Sequence, residues 1–399
     1  MIVKDIILSH KQGFYKPGKQ KPGNVHFVRI SDINNNSYLN KETTPMIEAE
    51  NSEIEKFDIK KGDFLFARTG GAGRFCLIQD DIYGVFASYL IRFRFNDQND
   101  KDFLRYFFMS DAFQNELKSK IHGGVNQNVH AENIKDCTVP EVPFPEQRQI
   151  VAILDQAFAA IDQAKANIEK NIQNAKDLFQ SKLNEIFSQK GDGWEEKTLK
   201  EITSKIGSGA TPRGGQASYK EYGISLIRSM NVHDDGFREE KLAFIDEEQA
   251  GKLNNVTIQE KDVLLNITGA SVARCCVVDS KFLPARVNQH VSIIRIKDDI
   301  LNEQFLHFAL TSKTTKDLLL GIGEQGATRQ AITKAQIESF KIAFPKAPQE
   351  QNRLVISLNH IKKESESLQK TYQEKVQALA ELKKSILQKA FAGELTKKM

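Results

Sequence analysis

Planar, hydrogen-bonding side chains recur in short stretches marked by glycine, and most of these stretches occur twice along the chain. Arg68-Thr69-Gly70, followed by Arg74, stands opposite Asn266-Ile267-Thr268-Gly269, followed by Arg274. GGVNQNVHAENI (123–134), with Asn126, Gln127 and Asn128, stands opposite QGATRQAITKAQI (325–337), with Thr328, Arg329 and Gln330. Asn288-Gln289-His290 precedes an apolar run, and its counterpart near Val85 to Tyr89 reads VFASY, the register open by a residue or two. Arg29 matches Arg228, and Arg213 lies in the glycine-rich piece GSGATPRGG (207–215). A guanidinium can bond guanine O6 and N7 together, and an Asn or Gln amide can bond adenine N6 and N7, each good pair discriminating by roughly 1–3 kcal/mol. Glycine permits the tight turns that thrust such side chains outward. Surface loops are polar in any protein, so one set alone says little. Three sets at matching places in two diverged segments point to a shared binding surface that reads base edges.

Other chemistries lack their residues. There is no GxxxxGK[ST] phosphate loop, no HExxH and no GxSxG elbow. GSGATPRGG and GGAGR (70–74) do not have the spacing of a dinucleotide loop and read as turns. An Asn-Pro-Pro-aromatic run and a strand-terminal FxGxG, with which adenine methyltransferases hold base and S-adenosylmethionine, are both missing. Cys76, Cys137, Cys275 and Cys276 form no CxxC pair and read as buried, reduced thiols, so no metal is expected. A formal net charge of +4 does not by itself mark a nucleic-acid binder, so any basic surface must come from arrangement. No window approaches the roughly 20 apolar residues of a membrane span, and a cytoplasmic protein is expected.

The elements that must position these side chains come from an internal repeat. Arg29 and Arg228, like Asp63 and Asp262, lie 199 positions apart; the offset grows to 200 at Cys76 and Cys276, 202 at Leu104 and Leu306, and 204 at Glu146 and Glu350. It then stays constant from PEQRQIVAILD (145–155) to LFQSKLNEIF (178–187). An uninterrupted register of about forty residues predicts one long helix in each half, since an insertion would rotate every later side chain off its face. Ile150, Leu154, Phe158, Ile161, Ile168, Ile172, Phe179 and Ile186 form one apolar seam, and Leu354, Leu358, Ile361, Leu368, Tyr372, Leu379, Leu382 and Ile386 the other. Rods of roughly 60 Å are expected to pack on each other as an antiparallel coiled coil. A Gly-Asp-Gly break ends the first, and Thr198-Leu-Lys-Glu201 reads as a capping box opening the next domain. The globular parts mix strands (263–267, 291–296, 90–95) with helices (102–120, 302–320), predicting an α+β class.

With these motifs in place, the chain resembles the specificity subunit of type I restriction-modification systems. The resemblance is carried by Gly193-Trp194-Glu195 with Leu199-Lys200-Glu201-Ile202, by Gly62-Asp63-Phe64-Leu65 and Lys261-Asp262-Val263-Leu264, by the Pro-x-Glu-Gln class segments near Pro145 and Pro348, and by Ser385 to Leu395. It implies two mixed α/β target recognition domains, 1–145 and 191–347, and two long conserved helices, 146–190 and 348–399, the last including a C-terminal tail. It implies a non-catalytic subunit that binds a bipartite double-stranded DNA target. Two modification subunits, which carry the S-adenosylmethionine, and through them restriction subunits, would dock on the helices, with no cofactor in this chain. The alternatives are the recognition part of another bipartite restriction-modification enzyme and a coiled-coil interaction scaffold. One departure is that the first half begins at Ile2-Val3-Lys4-Asp5-Ile6 without a Gly-Trp lead, so its first loop is expected to be less well anchored.

Overall fold

The computed structural model describes residues 1–16, 22–69, 71, 73–121, 128–298, 300–324 and 330–396. The chain divides into two compact units, one of Met1–Glu169 with Glu374–Met399 and one of Lys170–Gln373.

In the first unit β1 (Ile7–Gln12), β7 (Leu90–Phe95), β4 (Phe64–Ala67) and β5 (Phe75–Leu77) form an antiparallel sheet in that order, while β2 (Val25–Val28) lies between β3 (Met46–Ile47) and β6 (Gly84–Phe86) in a second sheet. Both faces of β4 are buried, and its two-residue period sorts them. Phe64 and Phe66 join Phe75, Phe93, Phe103, Phe108 and Phe113, rings along the strands stacking and those of α2 (Lys101–Met109) meeting them edge to face through Phe108. Leu65 and Ala67 face the other way, with Cys76 of β5, against Val28 and Phe86 of the second sheet. Burying each such ring contributes roughly 1.5–3 kcal/mol, so the aromatic cluster dominates this core. Short helices α1 (Asn51–Lys56), α3 (Asp111–Lys120) and α4 (Ala131–Lys135) complete the unit.

The second unit repeats the plan: β15 (Cys275–Val277), β14 (Val263–Asn266), β17 (Val291–Ile296) and β9 (Thr203–Ser208) form one sheet, and β13 (Ala243–Ile245), β10 (Ile224–Ile227) and β16 (Ala285–Val287) another. Two small two-stranded sheets flank them, the hairpin of β11 (Val232–His233) with β12 (Gly236–Phe237) and the pair of β8 (Trp194–Thr198) with β18 (Lys341–Pro345), which joins the two ends of the domain. Val263 and Leu265 pack under α8 (Glu303–Thr311), whereas Leu264 and Cys276 pack against the second sheet. The remaining helices are α6 (Leu199–Ile202), α7 (Glu247–Gly251), α9 (Lys313–Glu324) and α10 (Lys334–Ser339).

The helices expected over 102–120 and 302–320 are each broken. Ser110 and Ser312 take extended backbone (ψ 148° and 144°), ending one helix and capping or opening the next. Both hydroxyls turn back onto a carbonyl three residues earlier, Phe107 and Ala309, at 2.6 and 2.7 Å. A serine competes for backbone partners in this way and ends a helix that periodicity alone would continue.

The long helices are α5 (Phe144–Gln189) and α11 (Pro348–Phe391). They pack together antiparallel in both units. In the first, Ile150, Leu154, Phe158 and Ile161 share a core with Leu387 and Ala390, and Lys383 Nζ donates to Asp162 at 3.1 Å. In the second, Leu183 meets Val355 and Leu358, and Ser365 Oγ donates to the Ala175 carbonyl at 2.6 Å. Two residues expected in the seam, Leu368 and Leu382, stay 44% and 46% exposed.

The segment Pro145-Glu-Gln and its repeat fasten the helices to the domains. Gln147 Oε1 accepts from Asp100 N at 2.8 Å and its Nε2 donates to Val142 O; Gln351 does the same with Asn302 N (2.9 Å) and Pro345 O. Asp100 and Asn302 are themselves the caps of α2 and α8, their side chains accepting from the second and third backbone N–H groups. The capping box at Thr198 forms, Thr198 N donating to Glu201 at 2.8 Å. The start of the first half is better tied down than expected: Val3 and Ile6 are buried, Val3 N donates to Cys137 O, and Ile2 N donates to Asp5 just as Thr198 does to Glu201.

Candidate nucleic-acid interface

The described candidate residues come together at one end of the sheets in each unit. In the second unit this edge holds the carboxyl ends of β9, β10, β14 and β16 and the amino ends of β15 and β17, because Asn266 pairs with Val291, Ser208 with Ser292, and β10 runs parallel to β16. The loops that carry Arg228, Thr268, Arg274, Asn288, Gln289 and His290 all leave the sheets there. Gln330 joins them, since Gly269 N donates to its carbonyl (2.9 Å) and Thr268 bridges to Ala331. The equivalent edge of the first unit carries Arg29 after β2, Arg68 and Thr69 after β4, Arg74 before β5, and Tyr89 before β7. Val129 N donates to Arg68 O at 2.8 Å, which brings exposed Asn128 to the same place. Asn126, Gln127 and Arg329, with Thr328, lie outside the described residues.

Backbone pairing corrects the expected correspondence. Arg68 N donates to Tyr89 O and Ile267 N to His290 O, so Arg68 is the equivalent of Ile267, and the partner of Asn266 is Ala67, the last residue of β4. A slip of one residue exchanges the two faces of a strand, and here it moves Asn266 from rim to interior. Its side chain is fully buried, with Nδ2 donating to Ser229 O (2.8 Å) and Val232 O (3.4 Å). Asn266 braces the turn after β10, and its Oδ1, equally buried, has no hydrogen-bond partner among the described residues. Asn288 is likewise spent inside: it is 4% exposed, and its Oδ1 accepts from His290 N at 3.0 Å.

The arginines divide into two groups. Arg29 is forked onto Asp32 (2.9 and 3.2 Å) and also donates to Thr43 O. Arg74 donates to Ile33 O, and Arg228 donates to Lys241 O beneath the ring of Tyr219. These three are held by the fold. Among the described residues, no hydrogen bond or ion pair engages the guanidinium of Arg68, Arg213 or Arg274. Arg68 lines a groove of about 390 Å³ with His10, Lys11, Gln12 and His130. Burial, then Lys135, lowers the His10 pKa.

Several neighbours carried no local signal. Thr211 reaches Gln289 only through the fold. Tyr89, half exposed before β7, offers a stacking face. Gly13 and Gly209 occupy equivalent close approaches, where a Cβ would run into the carbonyls of Ala87 and Val287. The four cysteines are free and buried, and burial pushes Cys76, Cys137 and Cys276 up to about 12, so they remain protonated thiols. Among the described residues no cluster of His, Cys, Asp or Glu has the arrangement of a metal site, and no helix is long and apolar enough to cross a membrane.

A duplicated mixed sheet-and-helix domain, each copy tied to a long helix and carrying polar loops at one sheet edge, defines the class. The type I restriction modification DNA specificity domain matches this chain twice, over residues 3–174 and 191–378. The chain belongs to that family, the specificity subunits of type I restriction-modification systems. It is 24% identical over 329 residues to the specificity subunit of type I restriction enzyme EcoBI from Escherichia coli, covering 75% of this chain and 67% of that protein. It is 21% identical to the EcoKI specificity subunit of Escherichia coli strain K12, covering 74% of this chain and 65% of that protein. With the MjaVIII specificity subunit of Methanocaldococcus jannaschii it shares 22%, over 72% and 71% of the two chains. Among solved structures, a chain from work on complex assembly and conformational transition of the type I R-M system superposes with a TM-score of 0.76 at 20% identity, covering 99% and 97%. The HsdS subunit of Thermoanaerobacter tengcongensis gives 0.60 at 20%, covering 99% and 96%.

Proposed function

We propose that this chain is the non-catalytic DNA-recognition subunit of a type I restriction-modification complex. The domains at 1–145 and 191–347 each read one block of an interrupted duplex target. The helical segments 146–190 and 348–399 hold two modification subunits and, through them, restriction subunits. S-adenosylmethionine belongs to the modification partners, and the complex works in the cytoplasm. The observation that carries this reading is the gathering of Arg68, Thr69, Arg74 and Asn128 in one copy, and Thr268, Arg274, Gln289, His290 and Gln330 in the other, at corresponding sheet edges. Unpaired guanidiniums supply phosphate and guanine contacts, while exposed amides and hydroxyls supply base-edge contacts. The apolar positions beneath, such as Leu65 and Leu264, are shared because they hold the fold; the rim differs because each copy reads its own sequence.

The test is binding of the assembled complex to duplexes bearing methylation-mapped sites. Two separated blocks, with affinity falling steeply with salt, are expected. One contiguous block, or no sequence preference at low salt, would sink the proposal.

A further inference from the structure

Gln289 belongs to a hydrogen-bonded chain that holds its amide at both heteroatoms. Thr211 Oγ1 donates to Gln289 Oε1. Gln289 Nε2 donates to His290 Nε2 at 3.1 Å, and His290 Nδ1 lies 2.6 Å from Thr268 Oγ1. With the amide nitrogen toward the ring, imidazole Nε2 is the acceptor, the proton sits on Nδ1, and Nδ1 donates to Thr268; with the amide turned over every link reverses, and the amide plane is held in the same place. The backbone is held as well, by His290 N on Asn288 Oδ1 (3.0 Å) and by Asn288 N on Ile227 O (3.0 Å).

One amide hydrogen and one carbonyl lone pair of Gln289 are engaged. One of each remains on an exposed residue, a donor and an acceptor on a single planar group. That pair complements the major-groove edge of adenine, where N7 accepts and N6 donates. Fixing the amide before binding removes rotamer entropy that a free glutamine would lose on contact.

We propose that Gln289 reads an adenine in the half-site recognised by the second domain, and that Thr211, His290 and Thr268 are positioning residues that hold its amide in the reading orientation. This assignment rests on the DNA-recognition proposal above and makes it specific to one base pair. Of the other amides at this edge, Asn266 and Asn288 are buried away from it, and Gln330 is exposed with its Nε2 on Glu324 at 3.4 Å, outside the chain that holds Gln289. The first domain lacks the device: by backbone register Ser88 and Tyr89 stand where Gln289 and His290 do. The preference therefore belongs to one half-site.

The experiment uses the complex assembled with its modification subunits, on duplexes carrying the methylation-mapped site and each of its single-pair variants. At one A·T pair of one half-site, wild type is expected to lose about tenfold or more in affinity on replacement of the pair, and comparably on substitution by 7-deazaadenine, which lacks N7. Gln289→Ala and Gln289→Glu abolish both penalties there and leave every other preference, including the whole block read by the first domain, unchanged. Thr211→Val and His290→Phe weaken the same preference, and Thr211→Ser keeps it, a pattern that a merely structural role does not give. Gln289→Ala protein with a wild-type melting temperature and undiminished discrimination at every pair overturns the assignment. So does an affinity loss spread evenly over all sequences, which marks a phosphate contact. A wild-type complex with no two-block site is a different failure, one of the DNA-recognition proposal itself.

Discussion

Arg295 grips Asp262 with both prongs of its guanidinium, Nε to Oδ1 and Nη2 to Oδ2, each at 2.8 Å. The carboxylate is fully buried and also accepts from Gln259 N at 2.7 Å. Arg94 repeats the fork on Asp63, which accepts from Lys60 N. This pair explains why the segment beginning Gly-Asp or Lys-Asp occurs twice: the aspartate closes the turn into β4 or β14 and locks it to β7 or β17. Removing one partner of a buried, hydrogen-bonded ion pair costs about 3–5 kcal/mol. Arg295→Ala, which strands Asp262, should lower stability by that amount in denaturant titration. A loss under 1 kcal/mol would show the pair to be ornamental.

Gln147 and Gln351 make a second matched test. Each amide satisfies a backbone N–H at a helix cap and a carbonyl ahead of its own long helix. Leucine in either place leaves buried backbone groups without partners, at about 1–3 kcal/mol each. The two glutamines share no partner, so the double variant should lose the sum of the single losses. Strong coupling in the measured unfolding energies would contradict this.

How much of this was legible in the sequence depends on the range of the interaction. The repeat, the long helices and the capping box at Thr198 follow from local period and spacing, and the structure contains them. The breaks at Ser110 and Ser312 were hidden, because the apolar period runs on through both and only a hydroxyl returning to a carbonyl ends the helix. Asn266 was misplaced by a single residue: the shared Thr-Gly, at the same offset of 199 as Asp63 and Asp262, already sets Arg68 against Ile267, and only the likeness in residue type drew Asn266 into its place. The link of Thr211 to Gln289 spans 78 positions, and no local pattern announces it. The fold was therefore more legible than the rim, whose geometry depends on register and on loops meeting through the sheets.

His307 supplies a pH-dependent prediction. It is buried in the second unit, its Nε2 lying 3.0 Å from the Asp234 carbonyl. Burial, then the charge of Lys362, lowers its pKa from 6.5 to about 4. The folded chain thus refuses a proton that the unfolded chain accepts between those values, so stability falls as pH drops through this window and is restored as it rises. The full effect is about 3 kcal/mol. Unfolding titrations at pH 7 and pH 4.5 should show most of it in wild type and much less in His307→Leu, compared as differences between the two pH values. Equal pH dependence in both proteins would place the titration elsewhere.

The two groups of arginines should behave in opposite ways. Arg29 and Arg228 are tied to Asp32 and Thr43 and to the Lys241 carbonyl, so alanine there should lower stability by about 1–3 kcal/mol and alter salt dependence little. Arg68, Arg213 and Arg274 have no ion pair among the described residues and stand at the sheet edges or in the adjoining loop. Alanine at any one of them should leave the melting temperature within about a degree or two, as substitutions that break no hydrogen bond or ion pair do. It should lower affinity of the assembled complex for its target and reduce the slope of log affinity against log salt by about one where the arginine meets a phosphate. An arginine that instead meets a guanine should leave most of the slope and relax one base pair, so the same titration assigns each to backbone or base. If none of the three changes either quantity, the sheet edge is not the DNA-binding face.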